Sequence, residues 1–289
     1  MDTYVTAPER LGETVLTDGR TLAWAEWGPR DGVPVLLVPG AATSRLLGIG
    51  AGAAEALGVR LVCVDRPGLG ASSPAPGRTF ADFADDVADL ARRRGLGRVP
   101  VVGNSQGAPF ALACTIAGAT GPAALVSAAD EVAHPAFADV LPDDLRSLVE
   151  RVAADPRGAE ELFRGLGPEA MWSMVAGGAP ESDLAVYRSP AFEAAYLAAL
   201  GEGFARGGDG YARDTVLAMG RWPFDLAAVT APVDLWYGAQ DTVHSPDNGA
   251  TLASRIPGAE RHVVPGVGGA VLWTHAERIL SVLLERAAS

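Results

Sequence analysis

The feature that most constrains this chain is a rhythm: short apolar runs rich in Val and Leu alternate with longer alanine-rich stretches whose apolar residues recur at helical spacing. A strand wetted on one face alternates polar and apolar residues, whereas one buried on both faces reads as a continuous apolar run. The rhythm therefore predicts a mostly parallel sheet covered by helices on both sides. Strands are expected at residues 13–17, 21–27, 35–38, 60–64, 99–103, 123–127, 233–237 and 260–264. Asp18-Gly19 signals a hairpin between the first two. Helices are expected over 44–57, 80–94, 108–117, 248–255 and 271–287, with Thr79 as N-cap of the second and Asp82 in its first turn.

From about 134 to 222 the rhythm fails. Residues 141–153, 159–166 and 190–200 read as helices and no segment reads as a strand, so a helical cap is expected after strand 6. The expected organisation is a core of residues 1–132 and 223–289 with a cap of 133–222. With 289 residues, 48% hydrophobic and 20% charged, the composition suits one buried core and is far from that of disorder.

A formal net charge of −12 opposes binding to a phosphate backbone or an anionic membrane, so no nucleic-acid or membrane partner is expected. The N-terminus lacks a basic start followed by an apolar stretch, and no run reaches the roughly 18 apolar residues a span requires. A soluble, cytoplasmic protein follows as the expectation. Cys63 and Cys114 sit in apolar segments and read as buried free thiols. The four histidines, at 134, 244, 262 and 275, are scattered, so no metal site is expected. With no phosphate loop, dinucleotide fingerprint, haem motif or flavin motif, no cofactor is expected.

The chemical signal is Gly103-Asn104-Ser105-Gln106-Gly107, between an expected strand and an expected helix. Small residues on both sides let the chain turn sharply and hold a serine hydroxyl exposed above the sheet at a helix N-terminus. Ser105 is the candidate nucleophile. Here the sequence resembles the α/β-hydrolase superfamily, over about residues 13–284. Residues 35–40, VLLVPG, resemble its third strand and oxyanion loop, although Pro39 stands where members commonly carry His. Residues 65–72, DRPGLGAS, resemble the loop after its fourth strand, where Asp65 and Arg66 are expected to brace rather than react. By position, the resemblance implies backbone oxyanion donors at Ala41 and Gln106. It also implies an eight-stranded, mostly parallel sheet flanked by helices.

Residues 231–241, APVDLWYGAQD, resemble the seventh strand and place Asp241 in the acid position, with Asp130 as the fallback. The histidine is expected after the eighth strand, where members often read P-G-x-G-H. This chain reads Pro265-Gly266-Val267-Gly268-Gly269, so Gly269 stands at the base position and a histidine there would complete the motif. His275 and His244 are the candidate substitute bases. His275 belongs to a WTHAE segment that resembles one found in members that also keep the catalytic histidine. His244 follows Asp241 by three residues. His134 and His262 read as structural or solvent-facing.

Loss of a triad histidine costs about 10⁶ in turnover, so an ordinary fast esterase is not expected. Three readings stand: an inactivated variant, an enzyme whose base comes from elsewhere, or a binding protein that keeps the pocket. The leading expectation is acyl-group chemistry through Ser105, as ester or thioester hydrolysis or acyl transfer to an acceptor other than water. The alternative is a non-catalytic small-molecule-binding protein. The expected partner is a small-molecule acyl substrate, free or presented by a carrier. Trp172, Met174, Tyr187 and Tyr196 of the cap suggest a hydrophobic or aromatic acyl group, and Arg66, Arg188 and Arg221 are available to an anionic one.

Overall fold

The structure, a computed structural model, describes residues 4–50 and 52–289. Eight strands form one sheet in the order β1-β2-β4-β3-β5-β6-β7-β8. The strands are β1 (Arg10–Val15), β2 (Thr21–Trp27), β3 (Val33–Val38), β4 (Val59–Val64), β5 (Val101–Asn104), β6 (Ala123–Val126), β7 (Val233–Gly238) and β8 (Glu260–Val264). β1 and β2 form the expected hairpin, β2 joins β4 antiparallel, and every other pairing is parallel. β3 lies between β4 and β5, so the chain reverses its direction of travel across the sheet there. Such a switch point opens a crevice beyond the carboxyl ends of the two strands. Ala41 and Ser105 follow those two ends.

Alternation along each strand divides the core between the two faces of the sheet. Leu37, Leu61, Cys63, Val102 and Trp236 join one buried cluster, while Leu36, Val62, Val101, Leu235 and Tyr237 join the other. The second cluster is completed by α2 (Phe80–Arg94) and α3 (Gly107–Ile116). Phe80 and Phe83 pack against Phe110 with ring centroids 4.7 and 5.6 Å apart. Thr79 caps α2 as the sequence predicts, and the structure adds a reciprocal capping box with Asp82. Both cysteines are buried and free, one in each cluster, on opposite sides of the sheet.

The expected helix over 44–57 shrinks to α1 (Ala53–Ala56); Ala51, within that span, lies outside the described residues. The preceding segment is a packed loop instead. A Cβ at Gly48 would fall 2.8 Å from the Trp27 ring, and Gly50 and Gly52 adopt φ values of 41° and 77°. Loop packing against two tryptophans, including a 3.1 Å bond from Trp273 Nε1 to Gly48 O, overrides helical spacing here. The expected C-terminal helix is broken at His275 into α11 (Val271–Thr274) and α12 (Ala276–Ala288), and α10 is the short Ala250–Ser254.

Between β6 and β7 run six α-helices and, among the described residues, no strand. These are α4 (Asp143–Ala154), α5 (Pro156–Arg164), α6 (Pro168–Gly177), α7 (Glu181–Tyr187), α8 (Pro190–Gly203) and α9 (Asp209–Met219). The sequence predicts α4, α5 and α8. It misses α9 because that helix is buried nearly all round, Asp214 included, and so carries no amphipathic stripe.

Candidate active site

β5 delivers Ser105 to a tight turn where it adopts φ 49°, a left-handed conformation that costs a residue with a Cβ. The flanking glycines make the turn possible by close approach. A Cβ at Gly103 would meet Ala111 Cβ at 2.7 Å, and one at Gly107 would meet Val38 O at 2.2 Å. α3 can therefore pack directly against the end of β3. The Ser105 amide donates to Val126 O at 3.1 Å, while the Ser105 hydroxyl has no hydrogen-bond partner among the described residues.

Facing the serine is the loop after β3, where a Cβ at Gly40 would lie 3.4 Å from Ser105 Cβ. No protein acceptor takes the Ala41 or Gln106 amide among the described residues. Arg66 fixes this loop. Its guanidinium donates to Pro39 O and, at 2.9 Å, to Gly40 O, while its Nε donates to Asp214 Oδ2 at 2.7 Å. Asp214, from α9, also binds Arg78, and Arg66 and Asp214 are fully buried. The sequence reading of Arg66 as a brace holds, and it is unavailable to a ligand. Asp65 accepts the amides of Arg45 and Ala71; burial pushes its carboxyl up to about 7.

Opposite lies the loop after β7. Asp241 Oδ1 accepts the amides of Val243 and His244 at 3.1 and 3.2 Å. The Nδ1 atom of His244 lies 3.0 and 2.9 Å from the two Asp241 oxygens. Burial pulls this carboxyl up, but the His244 ring and the two amides outweigh it and hold it below the usual carboxylate range.

Ser105, Ala41, Gln106, Asp241, His244 and Gly269 line one cavity of about 330 Å³, together with Met174, Tyr187 and Tyr196. Trp172 is not in that wall; it packs behind Tyr196 with ring centroids 5.5 Å apart. His275 does not reach the cavity either. It sits at the α11–α12 junction, where its Nδ1 pairs with Thr274 Oγ1 at 2.9 Å. His134 accepts the Ala136 amide elsewhere. His262 stacks on Trp236 and bonds Asp234 at 2.6 Å. Asp234, Glu260 and His262 cluster within 4.8 Å, with Arg286 bonding both carboxylates and supplying the positive charge between them. Neither Arg188 nor Arg221 lines the cavity.

Residues 33–276 match the model of a family described as the alpha/beta hydrolase fold. The chain belongs to this family. Among proteins with curated functions none matches the sequence. Solved α/β-hydrolase-like structures are similar over nearly their whole length. A hydrolase from Pseudomonas aeruginosa is 21% identical with a TM-score of 0.69, over 96% of this chain and 98% of its own. A thermophilic esterase from Thermogutta terrifontis is 24% identical with a TM-score of 0.67, over 96% and 97%. A bromoperoxidase from Bacillus anthracis is 19% identical with a TM-score of 0.67, over 96% and 100%.

Within this α/β-hydrolase frame, sequence reasoning misses two side chains that shape the cavity. Asp183 of α7 is buried and accepts the amides of Gly268 at 2.9 Å and Ala270 at 3.3 Å. Its carboxyl is raised by burial against the pull of those amides. Ser127, strained at φ 42°, donates its hydroxyl to Gly269 O at 3.2 Å. No local pattern marks either one, because each acts on a segment more than 80 residues away. Asp130, the fallback acid, bonds Ser245 rather than a histidine, and burial pushes its carboxyl up to about 6.

Proposed function

We propose that this α/β-hydrolase-fold protein is an enzyme that cleaves neutral, hydrophobic esters or thioesters through an acyl group carried on Ser105. The observation that carries this reading is Ser105 itself. A strained serine presents an unbonded hydroxyl to an apolar cavity, beside two backbone amides with no internal acceptor among the described residues. Preorganised amides of this kind stabilise the negative charge that develops on a carbonyl oxygen under attack. Ser105 attacks the carbonyl carbon, the alkoxide or thiolate leaves with a proton, and water or another acceptor then releases the acyl group. Ala41 and Gln106 donate to the oxyanion. The similar structure described as an esterase supports ester chemistry.

The wall sets the substrate class. Met171, Met174, Val175, Met219 and Trp273 supply apolar surface, and among the described residues the wall's only acidic or basic side chains besides the His244 imidazole are Asp130, Asp183 and Asp241. An anionic acyl group would meet three carboxylates and no arginine, so neutral chains are favoured over dicarboxylate or phosphorylated ones.

Intact-mass spectrometry after incubation with activated aliphatic and aromatic esters and thioesters tests the reading. An acyl adduct at Ser105, or ester turnover that Ser105→Ala abolishes, is expected. The same turnover in a folded Ser105→Ala variant overturns the nucleophile. No adduct and no turnover with any donor leaves the binding-protein alternative.

A further inference from the structure

We infer that the general base of this protein is His244, on the loop after β7, and that Gly269 supplies the room its ring needs. The inference rests on Ser105 as nucleophile and concerns how that serine is activated. The glycine at 269 is then part of a working arrangement, and the missing histidine has a replacement carried on the same loop as the acid.

His244 is held from several directions. Its amide donates to Asp241 Oδ1 at 3.2 Å, its carbonyl accepts the Asp130 amide at 3.0 Å, and its Nδ1 faces both Asp241 oxygens. Next to it, Ser245 Oγ donates to Asp130 Oδ2 at 2.8 Å and anchors the loop further. An ionised carboxylate can only accept, so Nδ1 carries the proton of the neutral ring and Nε2 keeps its lone pair. A carboxylate that fixes tautomer and orientation is the service a base requires from its acid partner.

Gly269 shows why the ring can sit there. A Cβ at this position would lie 2.9 Å from His244 Cε1, closer than real Cβ contacts come, and 3.4 Å from both His244 Nδ1 and the Tyr187 hydroxyl. The loop is not free to retreat. Asp183 binds the amides of Gly268 and Ala270, and Ser127 binds the carbonyl of Gly269. A side chain at 269 would therefore require the His244 ring to move from its present place.

The Ser105 hydroxyl and the His244 ring line the same cavity without a direct hydrogen bond between them. Hydrogen bonds of this kind are commonly long in unliganded sites and tighten with substrate, through rotation of the serine or one intervening water. In the reaction, Nε2 takes the Ser105 proton as the Oγ–carbon bond forms, then gives it to the leaving alcohol as the ester carbon–oxygen bond breaks. Nε2 next takes a proton from water as hydroxide adds to the acyl carbon, and returns it to Oγ as the acyl–serine bond breaks. The net change is ester plus water to acid plus alcohol.

The test measures the rate of Ser105 labelling by a neutral fluorophosphonate, alongside turnover of an activated neutral ester, in folded variants. His244→Ala and His244→Gln are each expected to slow labelling and turnover by about 10³-fold or more, with KM little changed, on the scale of losing a triad histidine. Added imidazole should restore part of the His244→Ala rate. Gly269→His alone should give no gain, whereas His244→Ala/Gly269→His should recover activity over His244→Ala. Labelling and turnover within about threefold of the parent in both His244 variants would overturn the inference while leaving Ser105 in place. Turnover that survives Ser105→Ala would instead remove the nucleophile on which the inference depends.

Discussion

The two sides of the cavity are built on different principles. The Ser105 side consists of main chain: a strained turn, two amides without an internal acceptor among the described residues, and glycines that permit close approach, with Arg66 clamping the carbonyls of Pro39 and Gly40. The opposite side consists of side chains, with His244 on Asp241, Asp183 on the 268–270 loop and Ser127 on Gly269. Main-chain geometry needs small residues at fixed places, so it leaves a local signature. Side-chain geometry can be supplied from any segment that reaches the same point, so its residues can shift along the chain while the function of the arrangement persists.

The largest effect should come from removing the clamp. Asp214→Ala leaves Arg66 and Arg78 buried without their carboxylate, which should cost about 3–5 kcal/mol of stability. A denaturant midpoint close to the parent's would show that the Ser105 side does not depend on α9. On the other side, Asp183→Asn keeps the shape but weakens two amide contacts, with an expected loss of about 1–3 kcal/mol. Urea unfolding together with ester kinetics would sharpen the contrast. If Asp183→Asn changed neither, the 268–270 loop would be set by its own backbone.

A more distributed effect concerns pH. Burial raises the carboxyls of Asp65 to about 7 and Asp130 to about 6 in the folded chain. An unfolded aspartate titrates near 3.9, so the folded state holds more protons between about pH 4 and pH 7. Stability should therefore fall as pH rises through that window, and the urea midpoint should be higher at pH 5.5 than at pH 8. Below about pH 4 the depressed carboxyls of Asp241 and Asp247 act with the opposite sign, and stability should fall again. A midpoint that rises steadily to pH 8 would contradict this. The smallest effect belongs to a pair outside both sides: Arg164→Ala removes an exposed contact with Asp209 and should change stability by less than about 1 kcal/mol.

Much of this architecture is legible in the amino-acid sequence. Each of the eight strands overlaps an expected apolar run, and the central ones are plainest because burial on both faces leaves a continuous apolar composition. Ser105 is visible because its turn demands glycines on either side. The helices α6, α7 and α9 are not: α9 is buried nearly all round, α6 buries only Met171, and α7 spans just seven residues. His244 can be named from its spacing to Asp241, but only tertiary structure shows its ring beside Gly269 and separates it from His275. Trp172 illustrates the converse error: an aromatic residue of the inserted helices that supports the wall without forming it.

The apolar wall carries one last consequence. Met171, Met174 and Met219 all line the cavity, and unbranched thioethers let a wall conform to ligands of different shape. Sulfur accepts oxygen as readily as it adapts, and a sulfoxide is polar where the wall needs grease. Under peroxide, with Met174 already 59% exposed, the cavity wall should turn polar while the sheet beneath remains folded.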